Sequence, residues 1–324
     1  VQAYIHDDDP EAYERLVDRL LTKHHYGEHF TKYWLDLVRF ADTNGIHHDH
    51  YRDMTPYRDW VIRAFNDNMP YDQFVIDQLA GDLHPEPTRD QLIASGFNRL
   101  HLIIDVGTAL PEESFTRNVI DRVTAVGTAF MGLTVQCAVC HDHKYDPITS
   151  KDFYQLYAFF NNLDAQPETG SRSGTDFERG LQTPYINLTS KEQEVELASL
   201  ARQMEAYSKD DSKESKRALK ELRSKRDKLL NTIPAAMVVA NPSRTTGTPG
   251  FLPSMKATQG LKTRMNLAEW FVAPENPLTA RVAVNRFWQQ FFGVGLVKTA
   301  EDFGSQGEWP SHPDLLDYLA VTFV

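Results

Sequence analysis

The sequence predicts a mainly α-helical protein in which a helical domain is followed by a charged helical hairpin and a smaller helical domain. Apolar residues recur at helical spacing over most of the chain, as on the buried face of an amphipathic helix. A strongly charged stretch with sparse apolar positions runs from Ser190 to Leu230. The segment from Ile233 to Val239 has the apolar character of a short strand.

The first half of the chain is expected to form a series of amphipathic helices. Apolar stripes run from Glu11 to Leu21 and from Glu28 to Phe40, and a polar, histidine-rich loop follows from Asp42 to Thr55. The longest stripe starts at Pro111 and leads the chain to Cys137. Further helices are expected over 57–65, 71–79, 91–97 and 152–162.

The second half is expected to begin with a linker and to continue with helices. The segment 167–180 is polar and rich in Gly and Ser, which indicates a linker or loop. The charged stretch predicts a helical hairpin that breaks near Ser208 to Ser212, and we interpret it as an exposed spacer. Two helices are expected over 265–272 and 278–292. The predicted domains are 1–165, a helical domain that contains both cysteines, 166–240, the linker and hairpin, and 241–324, a truncated helical domain.

Composition and charge argue against nucleic-acid binding and against a membrane-spanning helix. The hydrophobic fraction of 41% and the charged fraction of 24% are those of a soluble globular protein. The formal net charge of -11 argues against a sequence-independent grip on nucleic acid, which needs clustered Lys and Arg. No run approaches the roughly 18 apolar residues of a membrane-spanning helix. We therefore expect neither nucleic-acid binding nor a membrane-spanning segment.

The two ends of the sequence suggest a processed or partial chain. It begins at Val1 without Met and shows no signal peptide, and it stops at Val324 within an apolar pattern typical of a helix. The cellular compartment must therefore be inferred from chemistry.

The chemistry-bearing motif is Cys137-Ala138-Val139-Cys140-His141, which contains both cysteines of the chain. Cys-x-x-Cys-His is the pattern of c-type haem attachment. Two thiols add across the two vinyl groups of haem, and the two intervening residues let one turn of backbone span them. The adjacent His then lies under the iron, where it helps to set the redox potential.

Two other interpretations of the motif remain open on the residues alone. A zinc site normally takes four protein ligands, and Cys137, Cys140 and His141 or His143 supply three, with another His as the fourth. A redox-active or disulfide-bonded Cys-x-x-Cys pair is the other interpretation. A thioredoxin-like pair expects a strand before the motif and a helix starting at it, whereas a helix is predicted to lead in here.

Longer segments carry a family resemblance. The segment Gly132 to Ile148, which contains the motif, resembles the planctomycete-type cytochrome c family, whose cytochrome-associated domains carry this Cys-x-x-Cys-His pattern. The second half resembles the companion C-terminal domain of the same proteins. The segments that match are 34–42, 57–62, 69–74, 78–82, 121–122, 132–148 and 153–162 in the first half, and 274–286, 301–307 and 311–316 in the second.

The sequence departs from the family pattern in three places. The N-terminal cytochrome domain of the family is absent, and the C-terminal domain is cut short at Val324. An Arg-Gly-Asp-containing segment usual in the family is missing between Thr246 and Gly247. The missing segments are either true deletions or residues left out of the sequence.

The resemblance implies one haem c, attached through Cys137 and Cys140 with His141 as an iron ligand. It also implies export to the periplasm or the extracellular space, because this attachment takes place outside the inner membrane. The expected partner is a redox protein or a cytochrome domain. Genes of this family often lie near polysaccharide-degrading enzymes, which suggests a carbohydrate-like substrate.

Other residues are candidates for the haem pocket. His101 matches a His of many relatives and is the candidate sixth iron ligand, against a plain hydrogen-bonded role. The loop residues His47, His48 and His50 are candidates for haem ligation, a second metal or acid–base catalysis, against an exposed loop. Arg58 and Arg122 are candidates for pairing with haem propionates, because Arg suits carboxylates. These four additional candidates and two arginines complete the expected site.

Electron transfer is the leading functional hypothesis, either within an oxidoreductase system or as a relay. The alternatives are a haem-dependent oxidoreductase that acts directly on a carbohydrate-like substrate, and a structural or assembly module that uses haem for folding. The sixth coordination position distinguishes them, since a second strong ligand makes a carrier and an open site permits catalysis.

Overall fold

A computed structural model describes most of the chain, and the statements below concern those residues. They are 2–7, 9–46, 49–103, 110–163, 174–208, 210, 212–239, 250, 252–255 and 262–323. The predicted site residues His47 and His48, and the junction between Thr246 and Gly247, lie outside the described residues.

The fold is mainly α-helical, as the sequence predicts. Shorter segments of other helical types join some of the α-helices. The α-helices are α1 (Gln2–Ile5), α2 (Ala12–Leu21), α3 (His24–Leu37), α4 (Thr55–Asn66), α5 (Tyr71–Ala80), α6 (Arg89–Ala94), α7 (Pro111–Val126), α8 (Ser150–Phe160), α9 (Thr175–Glu178), α10 (Lys191–Ser208), α11 (Lys213–Leu230), α12 (Arg264–Phe271), α13 (Thr279–Phe292) and α14 (Pro313–Phe323). The 3-10 segments are Gly81–Leu83, Ser95–Arg99 and Val135–Val139, and Gly127–Met131 is π-helical.

Local sequence explains where several helices begin. Thr88 caps α6 and Thr149 caps α8, each through a capping box that satisfies backbone donors of the first turn. Pro56 and Pro111 lie in the first turns of α4 and α7, where a missing N–H costs little. The long helix predicted to start at Pro111 is therefore present, but its last turn widens into the π-helical segment.

The charged stretch forms the predicted hairpin, with α10 ending at Ser208 and α11 beginning at Lys213. Ser212 caps α11 by accepting a hydrogen bond from the backbone N–H of Ser215. The predicted strand is present as β2 (Ala235–Met237), which pairs antiparallel with β1 (Tyr185–Asn187). β1 was not predicted, because three half-buried residues carry no periodicity long enough to identify.

The predicted linker over 167–180 differs from the structure in its described part, where α9 forms a short helix. Near the end of this segment, Arg179 holds the chain by hydrogen bonds. Arg179 donates to the side chain of Asn187 (2.9 Å) and to the carbonyl of Ile233 (2.8 Å), so the segment is attached to the small sheet.

One large core joins the helices of the first half with α12. Trp60 and Phe74 stack at its centre, with ring centroids 5.4 Å apart and an interplanar angle of 9°. α12 packs against α5, and Arg264 forms a buried ion pair with Asp82 over 2.7 Å. Phe271 of α12 is also fully buried in this core. The N-terminal part of the last predicted domain thus packs within the first core.

A second, smaller core holds α13 and α14 together, and it includes Val284 and Leu316. The segment after α13 returns to the first half of the chain, where the backbone N–H of Phe303 donates to the carbonyl of Gly132 over 2.7 Å. None of the described helices is both long enough and apolar enough to cross a bilayer.

Candidate functional site

A tight reversal delivers the chain from α7 to the Cys-x-x-Cys-His motif. Gly132 follows the π-helical segment with a φ of 59°, a left-handed conformation that favours glycine. A Cβ on Gly132 would press against Val282 and Phe303 of the C-terminal region. Gly127 is confined in the same way, because a Cβ there would meet the side chain of Val135. These two glycines let the motif segment fold back against α7.

The motif segment is fixed by its apolar residues and leaves its thiols outside. Val135 and Ala138 are buried, whereas Cys137 and Cys140 are exposed and free. The segment packs against α7 and α8, and the hydroxyl of Tyr154 in α8 donates to the carbonyl of Val139 over 3.0 Å. The backbone is therefore held in place, while both cysteines remain exposed.

The ring of His141 is oriented by the backbone. Its Nδ1 lies 2.8 Å from the carbonyl oxygen of Asp142. A carbonyl only accepts, so Nδ1 carries the hydrogen and donates it. No residue in the described part of the chain contacts Nε2 of this exposed side chain through a hydrogen bond, so its lone pair can bind another partner. Metal-binding histidines commonly show this arrangement, in which the second ring nitrogen donates to a carbonyl or carboxylate.

The neighbouring His143 is buried and uses both ring nitrogens. Nδ1 accepts from the backbone N–H of Asp146 over 2.8 Å, and Nε2 lies 3.2 Å from the hydroxyl of Thr134. Because Nδ1 accepts, Nε2 carries the hydrogen and donates it to Thr134. His143 thus closes the loop after the motif, and in this arrangement it offers no lone pair to a metal ion.

The arrangement bears on the two alternatives to haem attachment. The part of the chain that the structure describes contains one group of His, Cys, Asp or Glu whose ligand atoms lie within 4.8 Å of one another, namely His24, His25 and Glu28, all exposed. The cysteines do not belong to it. A helix rather than a strand leads into the motif, unlike a thioredoxin-like pair.

Asp146 joins the loop after the motif to the C-terminal region. Its carboxylate accepts a hydrogen bond from the backbone N–H of Ser305, and a Cβ on Gly304 would collide with the same carboxylate. Its own carbonyl accepts from the N–H of Ile148 over 2.7 Å. Asp142 instead connects the motif to the start of α8, because its carboxylate accepts a hydrogen bond from the backbone N–H of Ser150 over 2.8 Å.

His101, the candidate sixth ligand, is buried among arginines. Its Nδ1 lies 3.4 Å from Nη2 of Arg122, and its carbonyl accepts from Arg52 over 2.6 Å. Burial, reinforced by the positive charges of Arg122, Arg99, Arg52 and Arg39, holds the pKa of His101 well below its ordinary value. A guanidinium only donates, so Nδ1 accepts and the hydrogen lies on Nε2. Iron ligation by His101 stays a prediction, and it requires the ring to change this tautomer or turn.

The remaining predicted residues occupy three different environments. Arg122 is buried, and its Nε donates to the carbonyl of Asn98 over 2.7 Å. Arg58 is partly exposed and pairs with its neighbour Asp59 over 3.0 Å. The ring of His50 packs edge-on against Phe177, with centroids 5.1 Å apart. Their roles in propionate binding or catalysis stay predictions.

Sequence reasoning singled out Arg122 but missed the other two buried arginines near His101, Arg52 and Arg99. Arg99 donates to the carbonyls of Thr183 (3.3 Å) and Val238 (3.1 Å), and so connects the His101 region to the small sheet. The available signal was an Arg placed inside the apolar pattern of 97–103. Buried Arg needs partners, so such a position predicts a hydrogen-bonded cluster.

Comparison with known proteins gives one family match in each half of the chain. The model of the family PSCyt2, described as "Protein of unknown function (DUF1549)", matches residues 1–165. The model of PSD1, described as "Protein of unknown function (DUF1553)", matches residues 263–324. These are the two domains named in planctomycete-type cytochrome c families, as the resemblance implied. No curated protein and no solved structure matches the chain significantly. Since the first model covers more than half of the sequence, the chain belongs to the PSCyt2 family, and it carries a PSD1 segment at its C-terminal end.

Proposed function

We propose that the protein is a c-type cytochrome that binds one haem covalently and transfers electrons outside the cytoplasm. Cys137 and Cys140 would hold the haem, and His141 would bind its iron. The observation that carries the proposal is the pair of exposed, free thiols followed by a histidine whose Nε2 lone pair is available. The family match supports it, because the two matched domains occur together in planctomycete-type cytochrome proteins.

The residues present fit this cofactor in number and chemistry. Each thiol S–H adds across one vinyl C=C, so that sulfur bonds one carbon and the hydrogen goes to the other. His141 supplies a neutral imidazole nitrogen, which is the form that ligates iron. When bound, a haem supplies one-electron redox chemistry, tuned by its axial ligands and surroundings.

The protein's part is to hold these three side chains in place. The carbonyl of Asp142 fixes the tautomer and orientation of His141, and a hydrogen bond of this kind raises the basicity of a ligating ring. Tyr154 holds the carbonyl of Val139, which lies between the two cysteines. The exposure of both cysteines favours electron exchange with a redox partner protein or cytochrome domain over a purely structural use of the cofactor.

The proposed location follows from the chemistry of attachment. Haem is joined to Cys-x-x-Cys-His outside the inner membrane, so we propose that the protein works in the periplasm or beyond it. Val135 and Ala138 are buried while both cysteines are exposed, so the folded chain presents both thiols for attachment.

Intact mass spectrometry tests the attachment residue by residue. The protein is matured in an export host that attaches haem, as wild type, Cys137→Ser, Cys140→Ser and the double variant. We expect wild type to carry the mass of one haem through denaturation and the double variant to carry none. Gln136→Ser is the matched control, because this exposed residue adjoins Cys137 and should leave the added mass unchanged. An unmodified wild-type mass, or an equally modified double variant, would contradict the proposal.

A further inference from the structure

A cavity of about 700 Å³ lies between the first helices of the chain and its C-terminal helices. One wall comes from α3, α4 and α5, and the other from α13 and α14. Nine of the 22 residues that line the cavity are aromatic, and they include Phe30, Trp34, Phe65, Phe287 and Phe323. The volume falls in the range of roughly 300–1,000 Å³ that is usual for small-molecule sites.

Contacts between aromatic rings fix the shape of these walls. Phe30 of α3 approaches Phe287 of α13 with ring centroids 6.2 Å apart, and Phe287 approaches Phe323 of α14 at 6.0 Å. Tyr71 of α5 contacts Phe323 at 5.1 Å. Rings from both halves of the chain therefore meet around one space, which suits a flat apolar group.

A cation lines the same cavity. Arg286 donates through Nη1 to the carbonyl of Ala129 and through Nη2 to the carbonyl of Thr128 over 2.6 Å. A longer contact of 3.5 Å joins Nη2 to the carbonyl of Ala300. Among the described residues the Nε–H of Arg286 has no hydrogen-bond partner, so this donor does not take part in holding the backbone. Burial lowers the pKa of Arg286 to about 10, which keeps the side chain charged at neutral pH.

A phenol, that of Tyr71, lines the same cavity. Tyr71 lines the cavity close enough to Arg286 to feel its charge, and its hydroxyl makes no hydrogen bond with a described residue. Burial raises the pKa of Tyr71, so the hydroxyl stays protonated and can donate. The cavity thus offers a charged donor and a neutral donor beside apolar walls, a combination that suits an anionic oxygen.

Two carboxylates also line the cavity and narrow the range of ligands. Asp36 and Glu301 are both exposed, so water and salt screen their charges. Glu301 acts on Arg286 through its charge, but the two side chains share no hydrogen bond. Arg286 is the least exposed of these three charged side chains, so the ligand should carry its negative group near Arg286 and an apolar body elsewhere.

We infer that this cavity is a binding site for a small aromatic carboxylate. The ring would lie against Phe30, Phe287 and Phe323, and the carboxylate would accept from Arg286 and Tyr71. The residues that line the cavity do not include Cys137, Cys140 or His141. The site therefore goes beyond the proposed cytochrome function, and binding does not require haem.

Titration calorimetry with cinnamate and its neutral isostere cinnamamide tests the inference on the full chain. The two probes share the ring and differ in charge. Both are compared on the wild-type protein, so the result does not depend on whether a variant folds. We expect cinnamate to bind about tenfold more tightly than cinnamamide, because a charge-assisted hydrogen bond is lost in the amide. Equal affinity for both probes, or no heat with cinnamate at millimolar concentration, would overturn the inference.

Variants place the probe in the cavity. Tyr71→Phe removes only the hydroxyl and should weaken cinnamate binding several-fold with little effect on cinnamamide. Phe287→Ala should weaken both probes. Phe292→Ala is the matched control, since Phe292 is 65% exposed on the same helix and does not line the cavity. Unchanged cinnamate affinity in both Tyr71→Phe and Phe287→Ala would show that the probe binds elsewhere. Haem content is measured in parallel. A matured protein that carries no haem but still binds cinnamate more tightly than cinnamamide would contradict the cytochrome proposal and support the carboxylate site.

Discussion

His141 donates its Nδ1–H to the carbonyl oxygen of Asp142 over 2.8 Å, and so keeps Nε2 open. His143, two positions later, is arranged in the opposite way. Its Nδ1 accepts from the N–H of Asp146, and its Nε2 lies against Thr134. The structure therefore separates two neighbouring histidines into one available for ligation and one used for folding.

Paired substitutions test this separation. His141→Gln should change the iron coordination of the matured protein, seen in its optical spectrum, with little change in unfolding free energy because the side chain is exposed. His143→Gln should lower the unfolding free energy by about 1–3 kcal/mol, since it leaves buried groups unpaired. Urea denaturation measures the second effect. A folded His143→Gln protein with altered iron coordination, next to an unaltered His141→Gln protein, would reverse the assignment.

The buried ion pair between Arg264 and Asp82 should be important for stability. Arg264→Met leaves the Asp82 carboxylate buried without its partner, which should cost about 3–5 kcal/mol. Urea denaturation of the unmatured protein measures this loss. Arg217→Met is the control, because Arg217 and Glu221 form an exposed pair on α11 worth about 0.3–0.5 kcal/mol. Similar losses in the two variants would show that burial of the first pair has no energetic consequence.

The close approach of Gly304 to Asp146 predicts a sensitive contact between the motif loop and the C-terminal region. Gly304→Ala places a methyl group against the carboxylate and should destabilise the protein by about 1–3 kcal/mol. Ser305→Ala keeps the backbone N–H that donates to the Asp146 carboxylate and should change the stability little. Thermal unfolding followed by circular dichroism compares the two. A tolerated Gly304→Ala would mean that the contact is loose.

The buried His101 predicts a loss of stability in mild acid. Its pKa in the folded protein lies well below the ordinary value of 6.5 because of burial and the surrounding arginines. Below pH 6.5 the imidazole of His101 therefore binds a proton in the unfolded chain but stays neutral in the folded protein. Stability should fall as pH decreases from 6.5 towards the folded pKa, by at most about 1.4 kcal/mol per pH unit.

His101→Gln isolates this effect, because glutamine can still accept from Arg122 but does not titrate. Unfolding free energies of wild type and variant are compared between pH 7.5 and pH 5, a range chosen to bracket the ordinary histidine pKa of about 6.5. As the pH falls, the unfolding free energy of wild type should decrease more than that of His101→Gln. Parallel curves would show that His101 is protonated in the folded state as readily as in the unfolded one.

The fold was largely accessible from sequence because its helices carry long amphipathic stripes and recognisable caps. Thr88, Pro56 and Pro111 mark helix starts, and the charged hairpin breaks where the sequence predicts. β1 and α9 were missed because each is stabilised by tertiary contacts rather than by its own pattern. The π-helical turn at Gly127–Met131 depends on close packing around Gly127, which no periodicity reveals.

The site was accessible only in part. The motif itself is a contiguous pattern, so Cys137, Cys140 and His141 are found from sequence. The opposite ring environments of His141 and His143 depend on backbone atoms of Asp142 and Asp146, and sequence gives no sign of them. The cavity beside Arg286 joins residues more than 200 positions apart, so only the folded chain brings them together.

The most direct test of the account is a pyridine haemochrome spectrum of matured, denatured protein after acid–acetone extraction. Non-covalent haem is removed by this treatment, whereas haem joined to Cys137 and Cys140 stays with the chain. We predict an α band of c-type haem in the extracted wild-type protein and none in the Cys137→Ser, Cys140→Ser double variant. Wild-type protein that retains no haem after maturation in a competent export host would contradict the central claim and return the motif to zinc or thiol chemistry.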